Sequence, residues 1–269
     1  MEKRTCAACG HHTVHDEKNE LDLKNIPPVD CYLKDRGKSK GLKKYPIGIY
    51  MCEKCELIQV KASPKQEIFY ENYIYESSSS SDMRANFQAL IGKIEEYKIL
   101  KNEVSILDIG CNDGLLLKEI SVKSGRKAGL AGIDPSPVSN GLEKLGIRIE
   151  KNYFPKTKHY NNNEFDIIIS TNAFAHIPNI GEATEKVVKL LKKNGLFIIE
   201  VSDFEKMKER NAWDYIYHEH LFYYTKSSLT RLLESKGMKI VEIIQIDTKG
   251  GSIRVIAKKE EAQIKMGEK

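Results

Sequence analysis

The sequence predicts an α/β protein, a doubly wound and mainly parallel sheet preceded by a small N-terminal zinc-ribbon-like module. Three observations predict it. An apolar, β-branched run at 104–109 ends in the loop Gly110-Cys111-Asn112-Asp113-Gly114, and a helical pattern (Leu115, Leu116, Leu117, Ile120) follows at once. Apolar runs and helical stripes then alternate as far as Val201, the order of a parallel sheet with crossover helices. Ahead of them stand two CxxC pairs, Cys6/Cys9 and Cys52/Cys55, with 42 residues between Cys9 and Cys52.

Each CxxC can turn two thiolates toward one ion, and four thiolates close a tetrahedral Zn2+ site with no open position, so the expected zinc is structural. A thioredoxin-like redox pair would need one CxxC opening a helix, whereas both pairs here flank polar, irregular chain. His11, His12 and His15 read as surface residues, Cys31 as a buried free thiol, and the lysine-rich stretch 34–44 as a solvated loop. Residues 57–60 are expected as a short strand finishing the module. The aromatic cluster at 69–76 is too apolar to leave in water, although the five serines behind it, 77–81, have the composition of a flexible linker. Ser81 or Asp82 can cap a helix whose apolar positions Met83, Phe87, Leu90, Ile91 and Ile94 step by three or four.

In the α/β part, strands are expected at 104–109, 130–133, 147–149, 165–169 and 196–201. Helices are expected from Leu115, through Leu142 and Leu145, and along Ile180, Ala183, Val187, Val188 and Leu191. Two further strands, 239–246 and 252–258, join through Gly250-Gly251. Such a sheet binds its ligand at the carboxyl ends of its strands. The glycines of the 110–114 loop let backbone approach that ligand closely. Asp134, 20 residues beyond Gly114 at the end of the second apolar run, suits a ribose diol. A dinucleotide would want GxGxxG. Here the third glycine is missing, and Asp108 and Asp113 would repel a pyrophosphate but suit a cationic sulfonium or amino acid. The loop resembles motif I of class I S-adenosylmethionine (SAM) methyltransferases.

A connection of about two dozen residues follows the fifth strand and carries Trp213, the only tryptophan, and the block Tyr217-His218-Glu219-His220. Long loops usually carry function. Histidine, glutamate and tyrosine offer a base, a charge partner and a phenol. Two alternatives stand beside that reading, an HxH metal pair from His218 and His220, and a polar rim over an aromatic core.

Taken in order, the paired CxxC, Tyr73-x-Tyr75 ahead of the serines, DIGCNDG, Asn172-Ala173-Phe174-Ala175-His176-Ile177, Glu200-Val201, YHEH and Gly250-Gly251-Ser252-x-Arg254 resemble one family. It is the zinc-containing, SAM-dependent nucleotide-sugar C-methyltransferases of deoxysugar biosynthesis. The resemblance implies a class I SAM-methyltransferase Rossmann-like fold and a SAM site of Asp108, Gly110, Asn112, Gly114, Asp134, Asn172 and His176. It implies His220 as general base, Tyr217 and Glu219 assisting, and Tyr75 reaching into the acceptor site. The implied reaction removes a proton beside the carbonyl of a 4-keto sugar nucleotide and methylates the enolate carbon. Lys249 stands where that family often has a histidine, and the sequence stops soon after Arg254, where the family usually continues into a further domain. The expected organisation is a zinc module at 1–62, a connector and helix at 63–100, the methyltransferase domain at 101–259 and a charged tail at 260–269.

The 269 residues, 41% hydrophobic and 30% charged, have the composition of a soluble globular protein, and neither a signal peptide nor a membrane-spanning run is legible. A cytoplasmic monomer or homodimer with a small-molecule acceptor, a sugar or sugar nucleotide, is the expectation. The net charge of +5 is mild, and the aromatics do not interleave with a basic stripe, which speaks against an rRNA or tRNA methyltransferase. O-methylation of a sugar or another small metabolite, and a non-enzymatic scaffold that keeps the fold, are the remaining alternatives.

Overall fold

The computed structural model describes residues 3–14, 20–29, 41–70, 73–97 and 103–260. His15, Cys31, loop positions 34–40 and the tail 261–269 lie outside the described residues.

A hairpin of β1 (Lys3–Thr5) and β2 (His12–Val14) frames the first CxxC. Strands β3 (Glu20–Ile26), β4 (Tyr45–Met51) and β5 (Ile58–Val60) form an antiparallel sheet, with the second CxxC in the β4–β5 turn. The short helix α1 (Glu67–Tyr70) buries Phe69, and the serines at 77–79 form one 3-10 turn. Those serines are therefore ordered chain. Helix α2 (Ser81–Glu96) is capped by the Ser80 hydroxyl, which accepts from the Met83 N–H, so the cap falls one residue ahead of the expected Ser81.

The main sheet begins with β6 (Ser105–Ile109), followed by α3 (Leu115–Lys123), β7 (Gly129–Ile133) and β8 (Arg148–Glu150). Residues Leu142–Leu145 between β7 and β8 make only a 3-10 turn, where a helix was expected. Glycines flank that turn at both ends in left-handed conformation, leaving no room to extend it. Then come β9 (Phe165–Thr171), α4 (Ile180–Leu190), β10 (Leu191–Ser202) and α5 (Phe204–Glu209). The chain ends with β11 (Phe222–Tyr223), α6 (Lys226–Glu234), β12 (Met238–Ile246) and β13 (Ser252–Lys259).

Seven strands lie in the order β12-β13-β10-β9-β6-β7-β8. Those from β10 to β8 pair in parallel, while β13 is antiparallel to both of its neighbours. Strands β6 and β9 are covered on both faces, which is why they read as continuous apolar runs. One face packs on α4 and α6 through Val187, Leu190, Leu229 and Leu233, the other on α2 and α3 through Leu90, Ile94, Leu116 and Ile120. Each fully buried side chain of this kind contributes about 1.5–3 kcal/mol. The chain leaves β6 toward β7 and later returns to β9 on the opposite side, so strand order reverses between β6 and β9. A crevice opens at the carboxyl ends of those two strands.

The third sheet crosses the sequence. β11, more than 160 residues away in sequence, pairs with β5 and adds a fourth strand to the N-terminal sheet.

Candidate active site

The 110–114 loop closes the floor of the crevice. Gly110, Asn112 and Gly114 all have positive φ. A Cβ on Gly110 would come within 2.3 Å of the Ala173 Cβ, so glycine is required where the loop after β9 crosses it. The Asn112 amide joins the loop to the connector, donating to the Tyr75 carbonyl at 2.9 Å and accepting from the Ser77 N–H at 2.8 Å. Asp113 accepts from the Ser78 and Leu115 N–H groups and so caps α3. Gly114 makes the left-handed turn into α3 and lies outside the cavity wall, its missing Cβ space filled by Leu142.

The crevice is open to solvent at its mouth, and Asp108, Gly110, Asn112, Asp134, Asn172, His176 and Tyr75 all line it. Asp108 is 2% exposed, and its Oδ1 has no partner among the described residues. Burial, with the charge of Asp134 beside it, pushes the Asp108 carboxyl up to about 8. A buried, orphaned acid of this kind fits a cationic ligand, whose charge would restore the ionised form. Asp134 accepts from the Asn112 N–H at 2.8 Å, from the Ser136 N–H at 2.8 Å and from the Ser136 hydroxyl. A carboxylate offers about four acceptor positions, which leaves room for one ligand hydroxyl.

Aromatic rings also line the cavity: Tyr70, Tyr73, Tyr75, Phe87 and Tyr153. His176 stands among them. Its Nδ1 is 2.8 Å from the Tyr70 hydroxyl, and its carbonyl accepts from Gln66 Nε2 at 2.6 Å. The His220 ring packs edge-on against His176 with centroids 4.9 Å apart, one layer behind the wall. His220 Nε2 is 2.8 Å from the Tyr217 hydroxyl, and their rings are 4.2 Å apart. Burial, with the charge of Lys249, lowers His176 to about 4. Burial, His176 and Lys249 likewise hold His220 well below the ordinary histidine value. The near-neutral value expected of an unperturbed imidazole is thus displaced by its surroundings. Glu219 is buried, and its charge adds to the burial that raises the Tyr70 phenol.

The sequence reading missed Tyr70 and Gln66 as partners of His176. The aromatic cluster was legible, but a contact spanning 106 residues was not.

The loop carrying His220 is held by the N-terminal sheet. The Leu221 carbonyl accepts from the Val60 N–H at 3.0 Å, and the Ser63 hydroxyl donates to the His218 carbonyl at 2.8 Å. His218 turns its Nε2 toward the Pro46 carbonyl at 3.2 Å, whereas His220 faces His176, so the two do not converge as an HxH metal pair. The Tyr223 hydroxyl accepts from the Tyr217 N–H at 3.1 Å, fixing the backbone ahead of His220.

The four cysteines of the two CxxC pairs do converge, with all four sulfurs within 4.8 Å of one another. Cys6 and Cys55 are 3.6 Å apart and Cys9 and Cys52 3.8 Å. A tetrahedron with metal–sulfur bonds of about 2.3 Å has edges of roughly 3.8 Å, so the cluster fits one ion. The knuckles match: Gly10 N–H donates to the Cys6 carbonyl at 2.9 Å and Glu56 N–H to the Cys52 carbonyl at 2.8 Å, both residues with positive φ. The first knuckle packs on α4, where the Gly181 N–H donates to the Ala7 carbonyl at 3.0 Å.

Beneath the cavity lies a buried network. Arg254 Nη2 donates to Glu200 Oε2 at 3.0 Å and to Asn86 Oδ1 at 2.7 Å, and Asn86 Nδ2 donates to Glu200 Oε1 at 2.8 Å. Asn172 hangs from the same strand, its N–H donating to the Glu200 carbonyl at 2.8 Å. Asn86, a polar residue within the apolar stripe of α2, was the overlooked signal.

A six-parallel, one-antiparallel sheet with its cavity at the β6/β9 switch point, floored by a glycine loop and two acids, defines the class I SAM-dependent methyltransferase class. The chain belongs to the Methyltransferase domain family, which it matches over residues 76–243. It is similar to the C-methyltransferase NovU of Streptomyces niveus, 28% identical over 260 residues, covering 94% of this chain and 60% of NovU. The chain therefore spans about three-fifths of that relative's length. It is 22% identical over 175 residues to a ubiquinone biosynthesis O-methyltransferase of Rickettsia bellii, covering 60% of this chain and 71% of that one. Among solved structures, a candidate sarcosine dimethylglycine methyltransferase from Galdieria sulphuraria shares the fold at a TM-score of 0.54, with 15% identity over 66% of this chain and 86% of that one. The [4+2]-cyclase SpnF shares it at 0.52, with 13% identity over 71% and 87% of the two chains. Among the described residues no helix is long and apolar enough to cross a membrane.

Proposed function

We propose that this methyltransferase C-methylates a keto-deoxysugar nucleotide through an enolate, with His220 as the general base. The observation that carries the reading is the Tyr217–His220–His176 cluster, in which His176 lines the cavity and His220 stands behind it. Similarity to a C-methyltransferase along nearly the whole chain supports it.

When bound, SAM supplies an electrophilic methyl on a sulfonium. Cavity residues fit it: Asp108 toward its cationic part, Asp134 toward a ribose hydroxyl, and Gly110, Asn112, Asn172 and His176 around it. The acceptor lies against the aromatic part of the lining, where Tyr75 reaches in from the connector. In this reading the proton beside the carbonyl passes His176, the ring that lines the cavity, to a neutral His220 behind it, with Tyr217 at 2.8 Å from its Nε2 and the buried Glu219 assisting. The phenols exclude water, which shields the enolate from reprotonation. The four cysteines hold one structural zinc, with no open position for chemistry.

The test is incubation with SAM and a panel of keto-sugar nucleotides and sugars, read by mass and then by NMR. A new carbon-bound methyl beside a former carbonyl is expected. A methyl on oxygen moves the assignment to O-methylation, and no transfer to any sugar rejects the acceptor class.

A further inference from the structure

Lys249 sits in the turn Thr248–Gly250 between β12 and β13, with left-handed backbone at φ 49° and ψ 46°. A side chain bearing a Cβ rarely adopts that conformation, and glycine would hold it without strain. The turn is clamped from several sides. The Gly251 N–H donates to the Thr248 carbonyl at 3.0 Å, the Asp203 N–H to the Gly251 carbonyl at 3.1 Å, and Arg210 Nη2 to Asp247 at 3.0 Å. The fold therefore tolerates a strained residue at a position that is otherwise rigid, a pattern found where a side chain has work to do.

That side chain faces the cavity. Among the described residues, Lys249 is the one lysine or arginine lining it, and it also lines the neighbouring pocket with Tyr75 and Met83. Its Nζ lies 5.4 Å from the Tyr75 ring centre. The cavity lining thus carries Asp108 and Asp134 as acids and, among the described residues, Lys249 as its single ammonium, with tyrosine rings around them. Its charge is also felt at both His176 and His220, which puts it close to the proposed base.

We propose that Lys249 is a catalytic residue that binds the carbonyl oxygen of the acceptor and stabilises it as the enolate forms. The assignment rests on the keto-sugar reading above. The C–H bond beside the carbonyl breaks and its proton goes to His220. Its electron pair becomes the enolate C=C, and the former carbonyl π pair moves onto the oxygen held by Lys249 Nζ. The enolate carbon then bonds the methyl of SAM as the methyl–sulfur bond breaks, its electron pair staying on sulfur as a neutral thioether, and the pair on oxygen returns to restore the carbonyl. Negative charge is greatest at that oxygen between the two events, where a preorganised donor is most effective.

The test follows solvent deuterium entering a nucleoside-diphosphate 4-keto-6-deoxysugar in D2O, without SAM, for wild type, Lys249→Gly and Lys249→Arg. Lys249→Gly should fold at least as stably as wild type, because glycine relieves the left-handed backbone, and should bind SAM within about twofold of it. Its exchange kcat should fall by roughly 10²- to 10³-fold, the range for removing one oxyanion donor, with Lys249→Arg recovering at least a tenth of the wild-type rate. Wild-type exchange in Lys249→Gly overturns the proposal, as does a loss confined to KM, which would make Lys249 a ground-state anchor for the phosphates. If wild type itself exchanges nothing, the keto-sugar reading fails and this assignment falls with it.

Discussion

The imidazoles of His176 and His220 meet edge to face, centroids 4.9 Å apart and planes at 87°, although 44 residues separate them in sequence. Each carries its own phenol at 2.8 Å, Tyr70 on His176 and Tyr217 on His220. The four rings form a row from the connector, through the loop after β9, to the loop after β10. His176 lines the cavity and His220 braces it from behind. A proton taken from the acceptor at this end would pass into a row of neutral groups.

His220→Asn should bind SAM as wild type does and lose turnover by roughly 10²- to 10⁴-fold, the range for removing a general base. Deuterium exchange into a 4-keto sugar should vanish with it. Near-wild-type turnover in this variant would mean that the base is His176 or Tyr75.

The pH profile has a definite sign. In the proposed reaction the neutral imidazole is the working form, and both histidines are held below their usual 6.5, His176 at about 4. kcat/KM should therefore stay level as pH falls through 6.5, and decline only well below it. Lys249→Gly removes one of the charges that lower both rings, while Glu219 and Asp134 remain, so its acid limb should lie at higher pH than that of wild type. An acid limb at 6.5 in the wild-type profile would show that the imidazoles are as solvated as in free peptide.

Much of this arrangement was legible before the structure. The alternation of strands and helices, the cysteine pairs and the loop ending in Gly114 all rest on local spacing, which sequence displays directly. Contacts between distant segments were not. Two residues, Phe222 and Tyr223, are too short a run to read as a strand, and their partner β5 lies on the far side of the whole α/β part. The divergence of His218 and His220 follows from that pairing, since the N-terminal sheet captures one and the cavity wall the other. The depressed histidine values depend on burial, which no single residue announces.

Metal removal should reach the active site by the same route. Protein purified without chelator should contain about one zinc per chain, held by four thiolates. Cys6→Ser, or stripping the ion, should loosen β5 and with it β11 and the 217–220 loop. Turnover should then fall far more than SAM affinity, because Asp108 lies in β6 and Asp134 directly follows β7 of the main sheet. A metal-free protein that is folded and fully active would remove both the zinc and its role.

Asp134→Ala should weaken SAM binding by roughly ten- to a hundredfold, the equivalent of about 1.5–3 kcal/mol for a charged acceptor. Part of that loss would come from the Asn112 and Ser136 N–H groups, which the carboxylate holds at 2.8 Å. Calorimetry on Asp134→Asn separates the parts: it keeps one acceptor oxygen and should lie between Asp134→Ala and wild type. SAM binding as tight as wild type in Asp134→Ala would place the cofactor elsewhere.

The pair beneath the cavity makes the strongest stability prediction. Arg254 is 3% exposed and Glu200 fully buried, and Asn86 closes the ring between them. Removing one member of such a pair leaves the other charged and desolvated, which typically costs about 3–5 kcal/mol, whereas replacing both by apolar residues is often neutral. Arg254→Met should therefore be strongly destabilised in chemical denaturation, and Arg254→Met combined with Glu200→Leu should recover most of the loss. SAM affinity should behave differently. The Asn172 side chain reaches Glu200 Oε1 at 3.5 Å, a weak contact, while its N–H donates to the Glu200 backbone carbonyl, which every substitution keeps. The double variant should thus bind SAM within a few-fold of wild type once its stability returns. Wild-type stability in Arg254→Met would mean that water or a shifted Asn86 satisfies Glu200, and the ring would then be an ornament of packing instead of a support for the cavity wall.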